Sequence, residues 1–241
     1  MNASEALTML AGLKLEGMAL AFEQMLSDRS TDELTLPEIV GRLCMAQRDK
    51  NQEQALARLR RAARFRVHAQ PEDILWDAHR GFDKQKLRSL LQPDWVRRVE
   101  NVLLSGASGT GKTWLACAIG NALVRQGISV RYVRTNLLLQ EMRAGHLDRS
   151  ISRLRKNLTA PQLLILDDFG IAPIDEPSKE DLFELLEARS DVGSTLIAGQ
   201  KAPSEWYDYL ASNHLADAIM DRVVQRAHRI ELKGDSLRQR L

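Results

Sequence analysis

Residues 101–113 read Asn-Val-Leu-Leu-Ser-Gly-Ala-Ser-Gly-Thr-Gly-Lys-Thr, an apolar run, a glycine-rich turn and the start of a helix-forming stretch. The turn, composed of Gly106, Ala107, Ser108, Gly109, Thr110, Gly111, Lys112 and Thr113, fits G-x-x-x-x-G-K-[ST] at every defined position. Its three glycines let the backbone bend so that successive N–H groups face phosphate oxygens, and the helix that follows adds its positive end. Lys112 is expected to reach the β- and γ-phosphates as a point charge, and the Thr113 hydroxyl to help hold Mg²⁺. ATP and Mg²⁺ are therefore the expected cofactors.

Outward from this loop the chain alternates short apolar runs with helical stretches. Strands are expected at residues 101–105, 128–133, 162–166, 194–198 and 227–232. Helices are expected at 112–126, 136–144, 179–190 and 214–224. Strands alternating with helices, and buried on both faces, indicate a parallel sheet covered by helices, an α/β fold. The run Leu163-Leu-Ile-Leu166 ends in Asp167-Asp168, which delivers two carboxylates to the sheet edge where such folds bind ligands. Asp167 is expected to hold Mg²⁺, and Asp168 to orient or deprotonate an attacking water. A further strand, 128–133, intervenes between the two motifs, which favours hydrolysis over transfer to a small molecule.

The first 70 residues have a different rhythm. Apolar positions recur at helical spacing through residues 3–28. From Arg42 to Ala69 there is neither Gly nor Pro, and Pro37 suits the first turn of that helix. Residues 1–70 thus read as a small all-helical domain, 71–98 as a linker punctuated by Pro71, Gly81 and Pro93, and 99–241 as the α/β domain. No run approaches the ~20 apolar residues of a membrane span, and there is no basic-then-apolar leader. With Cys44 and Cys117 far apart and without clustered histidines, a cytoplasmic location, no membrane partner and no zinc site are expected.

Net charge is only +2 over 241 residues, but it is segregated. Residues 42–66 carry +6 and residues 222–241 carry +4, leaving −8 on the rest. Arg58, Arg60, Arg61, Arg64 and Arg66 fall on one expected helix with few acids nearby, which points to phosphate contact. Arg149, Arg153, Arg155 and Lys156, together with Arg143, form a second basic cluster ahead of the Asp-Asp strand. Aromatic residues are too sparse here for base stacking, so backbone contact with little sequence readout is expected.

The loop, the Asp-Asp strand, Leu215-Ala-Asp-Ala-Ile-Met-Asp-Arg-Val223 and Arg229-Ile-Glu-Leu-Lys-Gly-Asp-Ser-Leu-Arg238 together resemble the IstB-type transposition helper ATPases. These are AAA+ P-loop NTPases related to DnaC-like helicase loaders. Leu13-Lys-Leu-Glu-Gly-Met18 and residues 70–102 extend the resemblance over essentially the whole chain. It implies a homo-oligomer on double-stranded DNA that prepares target DNA for a cognate transposase. It also implies that Arg222 is an arginine finger acting on a neighbouring subunit's nucleotide, and that Arg238 is the second sensor. Gln200, after Gly199, takes the position of the first sensor. Taken alone, Arg222 also reads as a surface ion pair with Asp217 or Asp221. Three other readings stay open: a helicase loader acting on single-stranded DNA with a replicative helicase, a P-loop kinase of a small metabolite, and a nucleotide-gated scaffold, since Asp168 is shorter than the glutamate usual in AAA+ hydrolases.

Overall fold

The computed structural model describes residues 2–28, 34–76, 81–210 and 214–237. The chain forms two compact units, residues 1–58 and 59–241. The first contains α1 (Ala3–Gly12), α2 (Glu16–Asp28) and most of α3 (Leu36–Ala63). Asn2 and Glu5 form a capping box that satisfies free N–H groups at the start of α1. The start of α2 is satisfied from across the unit, because Gln47 Oε1 on α3 accepts from the N–H groups of Gly17 (2.9 Å) and Met18 (3.2 Å).

The second unit is a five-stranded, all-parallel sheet in the order β2-β3-β4-β1-β5. Its strands are β1 (Asn101–Gly106), β2 (Val130–Arg134), β3 (Leu163–Phe169), β4 (Ser194–Gly199) and β5 (Ala227–Leu232). Because side chains alternate along a strand, the central strands feed two cores. Val102, Leu104, Ile165, Leu196 and Ala198 face one core with α6 (Lys112–Arg125). Leu103, Leu164, Leu166 and Ile197 face the other, with α7 (Thr135–Leu147), α8 (Ile151–Thr159), α9 (Glu176–Arg189), α10 (Trp206–Tyr209) and α11 (His214–Val224).

Residues 71–98, punctuated by turns, are not peripheral to this unit. The short helices Lys84–Leu90 (α4) and Asp94–Arg97 (α5) bring Leu87, Leu90, Trp95 and Val96 into the α6-side core, where Ile74 also lies. The helix expected to run to Ala69 stops at Ala63. Arg64 takes φ +53, and Phe65 packs beside the core. The strand standing between β1 and β3 is β4, whereas β2 lies at the sheet's edge. Among the described residues, no helix is long and apolar enough to cross a membrane.

Candidate functional site

The strand order reverses between β1 and β4. Chain leaving β1 crosses toward β2, and chain leaving β4 crosses to β5, so a crevice opens at the strands' C-terminal ends. Both sequence motifs arrive there. At the mouth of β1, Gly106 has φ +145, and a β-carbon on it would stand 2.3 Å from the Leu232 carbonyl oxygen of β5. No other residue fits this backbone beside its neighbouring strand. Thr110 is buried, and its hydroxyl donates to the Ala107 carbonyl (2.9 Å), which closes the turn. Gly111, with φ +96, is the N-cap of α6, and Lys112 is its first residue. The Lys112 ammonium donates to the carbonyls of Gly106 (2.7 Å) and Ala107 (2.8 Å), so its charge hangs over the loop. From the C-terminal side, the Leu237 N–H donates to the Gly109 carbonyl (3.0 Å).

Two strands away, Asp167 is 1% exposed yet carries a carboxylate. Burial of such a group requires donors. Its Oδ2 accepts from the Thr113 hydroxyl (2.7 Å) and the Tyr132 hydroxyl (2.7 Å), while its backbone carbonyl accepts from Thr135 Oγ1 (2.9 Å). Burial first, and then the bond to Asp167, push the Tyr132 hydroxyl far above its ordinary range, so it remains a donor. Thr113 and Asp167 therefore meet as two hard oxygen groups at the start of α6, a donor set suited to Mg²⁺. Among the described residues no group of three or more His, Cys, Asp or Glu side chains is placed to hold a metal ion.

Asp168 sits at a break in the β3–β4 register and adopts φ +58, an uncommon conformation that Asp tolerates better than most residues. Its Oδ2 accepts from Arg134 Nε at the end of β2 (3.0 Å) and pairs with Arg66 Nη1 (3.3 Å). Gln200 is exposed at the C-terminal end of β4, on the same edge.

Gly106–Thr113, Asp167, Asp168 and Gln200 thus converge on one sheet edge. Arg222 does not. The Asn101 side chain, at the start of β1, donates to the Arg222 carbonyl (2.9 Å), which places Arg222 at the opposite end of the sheet from the loop. At about 3.3 Å per residue, β1 sets those ends roughly 16 Å apart. The Arg222 guanidinium bonds Glu187 of α9, not Asp217 or Asp221, and lies 5.4 Å above the Phe183 ring. Arg238 lies outside the described residues.

Residues 8–241 match the family described as IstB-like ATP binding protein. The chain belongs to that family. Its IstB-like relatives include the insertion sequence ATP-binding protein y4pL of Sinorhizobium fredii, which is 38% identical over 239 residues covering 99% of this chain and 98% of the relative. Among solved structures, the chain resembles DnaI (TM-score 0.59, 20% identity, 72% of this chain and 94% of that one). It also resembles AMPPCP-bound DnaA from Aquifex aeolicus (TM-score 0.61, 19% identity, 73% and 53%). These likenesses show that the IstB-like chain shares the fold of DnaI and DnaA.

The expected basic surface divides into two groups. Arg58, Arg60, Arg61, Arg64, Arg149, Arg153 and Lys156 are exposed. Arg66 and Arg155 are instead engaged by acids, Arg66 by Asp168 and Arg155 by Asp181 (2.7 Å) and Glu184. Tyr132, Arg134 and Thr135 bond Asp167 or Asp168, yet no motif in the sequence marks them. The sequence signal for Tyr132 is its alternation with Val130 on the inward face of a strand. Nothing local marks Arg134.

Proposed function

We propose that this IstB-like chain is an ATP-hydrolysing helper of an insertion-sequence transposase, assembling as an oligomer on double-stranded DNA. The observation that carries the reading is the convergence of Lys112, Thr113 and the buried Asp167 on one sheet edge, with Asp168 as the next residue outward.

In this reading the loop's N–H groups and Lys112 bind the phosphates, with Lys112 exchanging the carbonyls of Gly106 and Ala107 for phosphate oxygens. Thr113 and Asp167 hold Mg²⁺, and Tyr132 keeps the Asp167 carboxylate oriented. The bound ion supplies charge neutralisation across the phosphate oxygens. Asp168 accepts the proton of the attacking water, and Gln200 contacts that water or the γ-phosphate. Arg222 is too far from its own loop to serve it, so it completes a neighbour's site, which makes the oligomer a requirement for hydrolysis. Arg238 acts as a second sensor. Arg58, Arg60, Arg61, Arg64, Arg149, Arg153 and Lys156 contact duplex backbone without reading sequence.

Purified protein should hydrolyse ATP with Mg²⁺, faster on duplex than on single-stranded DNA at equal salt, and Lys112→Ala should abolish turnover. Robust turnover by Lys112→Ala would remove the loop from the chemistry. Preferential stimulation by single strands would move the protein to the helicase-loader class.

A further inference from the structure

Asp168 is the most exposed acid of the site, and one oxygen, Oδ2, is shared by two guanidiniums. Arg134 comes from the adjoining strand end. Arg66 comes from 102 residues upstream, directly after the arginine-bearing end of α3. The segment carrying it is pinned to the α/β unit on both sides. Arg131 donates to the Ala62 carbonyl (3.3 Å), and Asn121 of α6 donates to the Ala69 carbonyl (2.9 Å). Phe65 lies so close to Gly120 of α6 that a β-carbon there would meet its ring at 2.6 Å. Arg66 therefore has one reachable acidic neighbourhood, Asp168 with the Tyr132–Asp167 pair behind it.

The other side of the same segment is crowded with unpaired positive charge. Arg60 and Arg64 are exposed and make no ion pair among the described residues. Arg131 lies close by: burial first, and then the nearby Arg64 charge, outweigh Glu141 and lower its guanidinium's affinity for its proton. A polyanion arriving here meets Arg60, Arg64 and Arg131, and the 44%-exposed Arg66 within the same short stretch.

We propose that Arg66 is a positioning residue for Asp168, and that duplex DNA phosphates compete with Asp168 for its guanidinium. Without DNA, Oδ2 is committed to Arg66 and Arg134 and is a poor acceptor for a water proton. When phosphates draw Arg66 away, Asp168 keeps only Arg134 and turns to the water. Stimulation of hydrolysis by DNA is then a direct exchange of partners at one arginine, carried by the short link between α3 and Ala69. This rests on the hydrolytic reading given above.

Competition of this kind is reciprocal, so it is measurable without turnover. With the full chain, a fluorescent duplex, fixed salt and no nucleotide, Asp168→Asn should tighten binding. Part of that gain is the general effect of removing a negative charge. The part specific to Arg66 is the difference between the same substitution in wild type and in Arg66→Ala, and an exposed ion pair makes it about two- to five-fold. In ATPase assays Arg66→Ala should raise the DNA-free rate and flatten the stimulation by duplex, whereas Arg66→Lys should retain stimulation. If Arg66→Ala does not fold, Arg66→Gln keeps most of the stem and replaces it in both assays. Equal effects of Asp168→Asn in both backgrounds, or an unchanged fold-stimulation in Arg66→Ala, would overturn the proposal alone. A wild type that never hydrolyses ATP would overturn the hydrolytic reading, while the binding cycle still decides the competition for Arg66.

Discussion

Arg189, at the C-terminal end of α9, is 1% exposed and has no carboxylate partner among the described residues. Its Nη1 donates to the carbonyls of Leu158 (2.7 Å) and Pro161 (2.9 Å), Nη2 to that of Ser194 (2.6 Å), and Nε to the Thr195 hydroxyl (3.3 Å). It thereby ties the end of α8, the turn into β3 and the start of β4 to one point. Glu187, the partner of Arg222, lies two residues away. Burial pushes the guanidinium's pKa down from 12.5 to about 10, so keeping it charged costs roughly 3 kcal/mol. Against this stand three short bonds from a charged donor, worth about 2–3 kcal/mol each once the carbonyls left behind are counted. Arg189→Met should therefore lose about 3–6 kcal/mol, a large part of the ~5–15 kcal/mol that holds a domain together. In urea unfolding, with a slope of about 2 kcal/mol per molar, the midpoint should fall by roughly 2 M. Arg189→Lys, with a single point of donation, should fall between Met and wild type. A Met variant within about 0.5 M of wild type would refute the view that this clamp stabilises the helix carrying the Arg222 partner.

Arg98 first, and then His228 of β5, hold the Glu100 carboxyl down at about 2, against 4.5 for a free glutamate. A depressed carboxyl contributes stability above pH 4.5 that is lost as pH falls toward 2; Glu100 should contribute about 1–2 kcal/mol to the loss in that window, and the acid titration of unfolding of Glu100→Gln should be shallower by that share. Tyr132→Phe keeps the ring but removes a donor to a buried carboxylate, so it should cost about 1.5–3 kcal/mol by denaturant unfolding, and a neutral result would place the hydroxyl outside the site's support. Cys44 is exposed, whereas Cys117 is buried and its thiol pKa is raised by that burial. A thiol reagent should therefore modify Cys44 in the native chain and Cys117 only on unfolding; fast modification of both would contradict the packing of α6.

Much of the α/β unit is legible in the sequence because its signals are local. Uninterrupted apolar runs such as Leu163–Leu166 announce strands covered on both faces, and the loop's glycines announce a backbone that only they can follow. Other features depend on distant partners. Ile151–Thr159 is a helix, but Arg153, Arg155 and Lys156 make it read as a charge cluster until Asp181 and Glu184 appear beside Arg155. Pro71, Gly81 and Pro93 mark turns, and a turn says nothing about whether Trp95 or Leu87 between such turns is buried. Asp167 and Asp168 are adjacent in sequence but differ in surroundings, one sealed by Thr113 and Tyr132 and the other shared by Arg66 and Arg134. That difference arises from β2 and from a residue 102 positions away, beyond the reach of any local pattern.

In the proposed assembly each ATP site joins the loop of one chain to Arg222 of the next, since Arg222 stands at the far end of its own sheet. Lys112→Ala and Arg222→Ala chains, each inactive alone with ATP, Mg²⁺ and duplex DNA, should recover turnover when mixed. A loop from an Arg222→Ala chain then meets an arginine from a Lys112→Ala chain, and random assembly of equal amounts forms such sites at about a quarter of all interfaces. Recovery toward that fraction of the wild-type rate is the predicted result. A mixture that stays inactive while both variants still assemble on DNA, or an Arg222→Ala chain fully active alone, would contradict it.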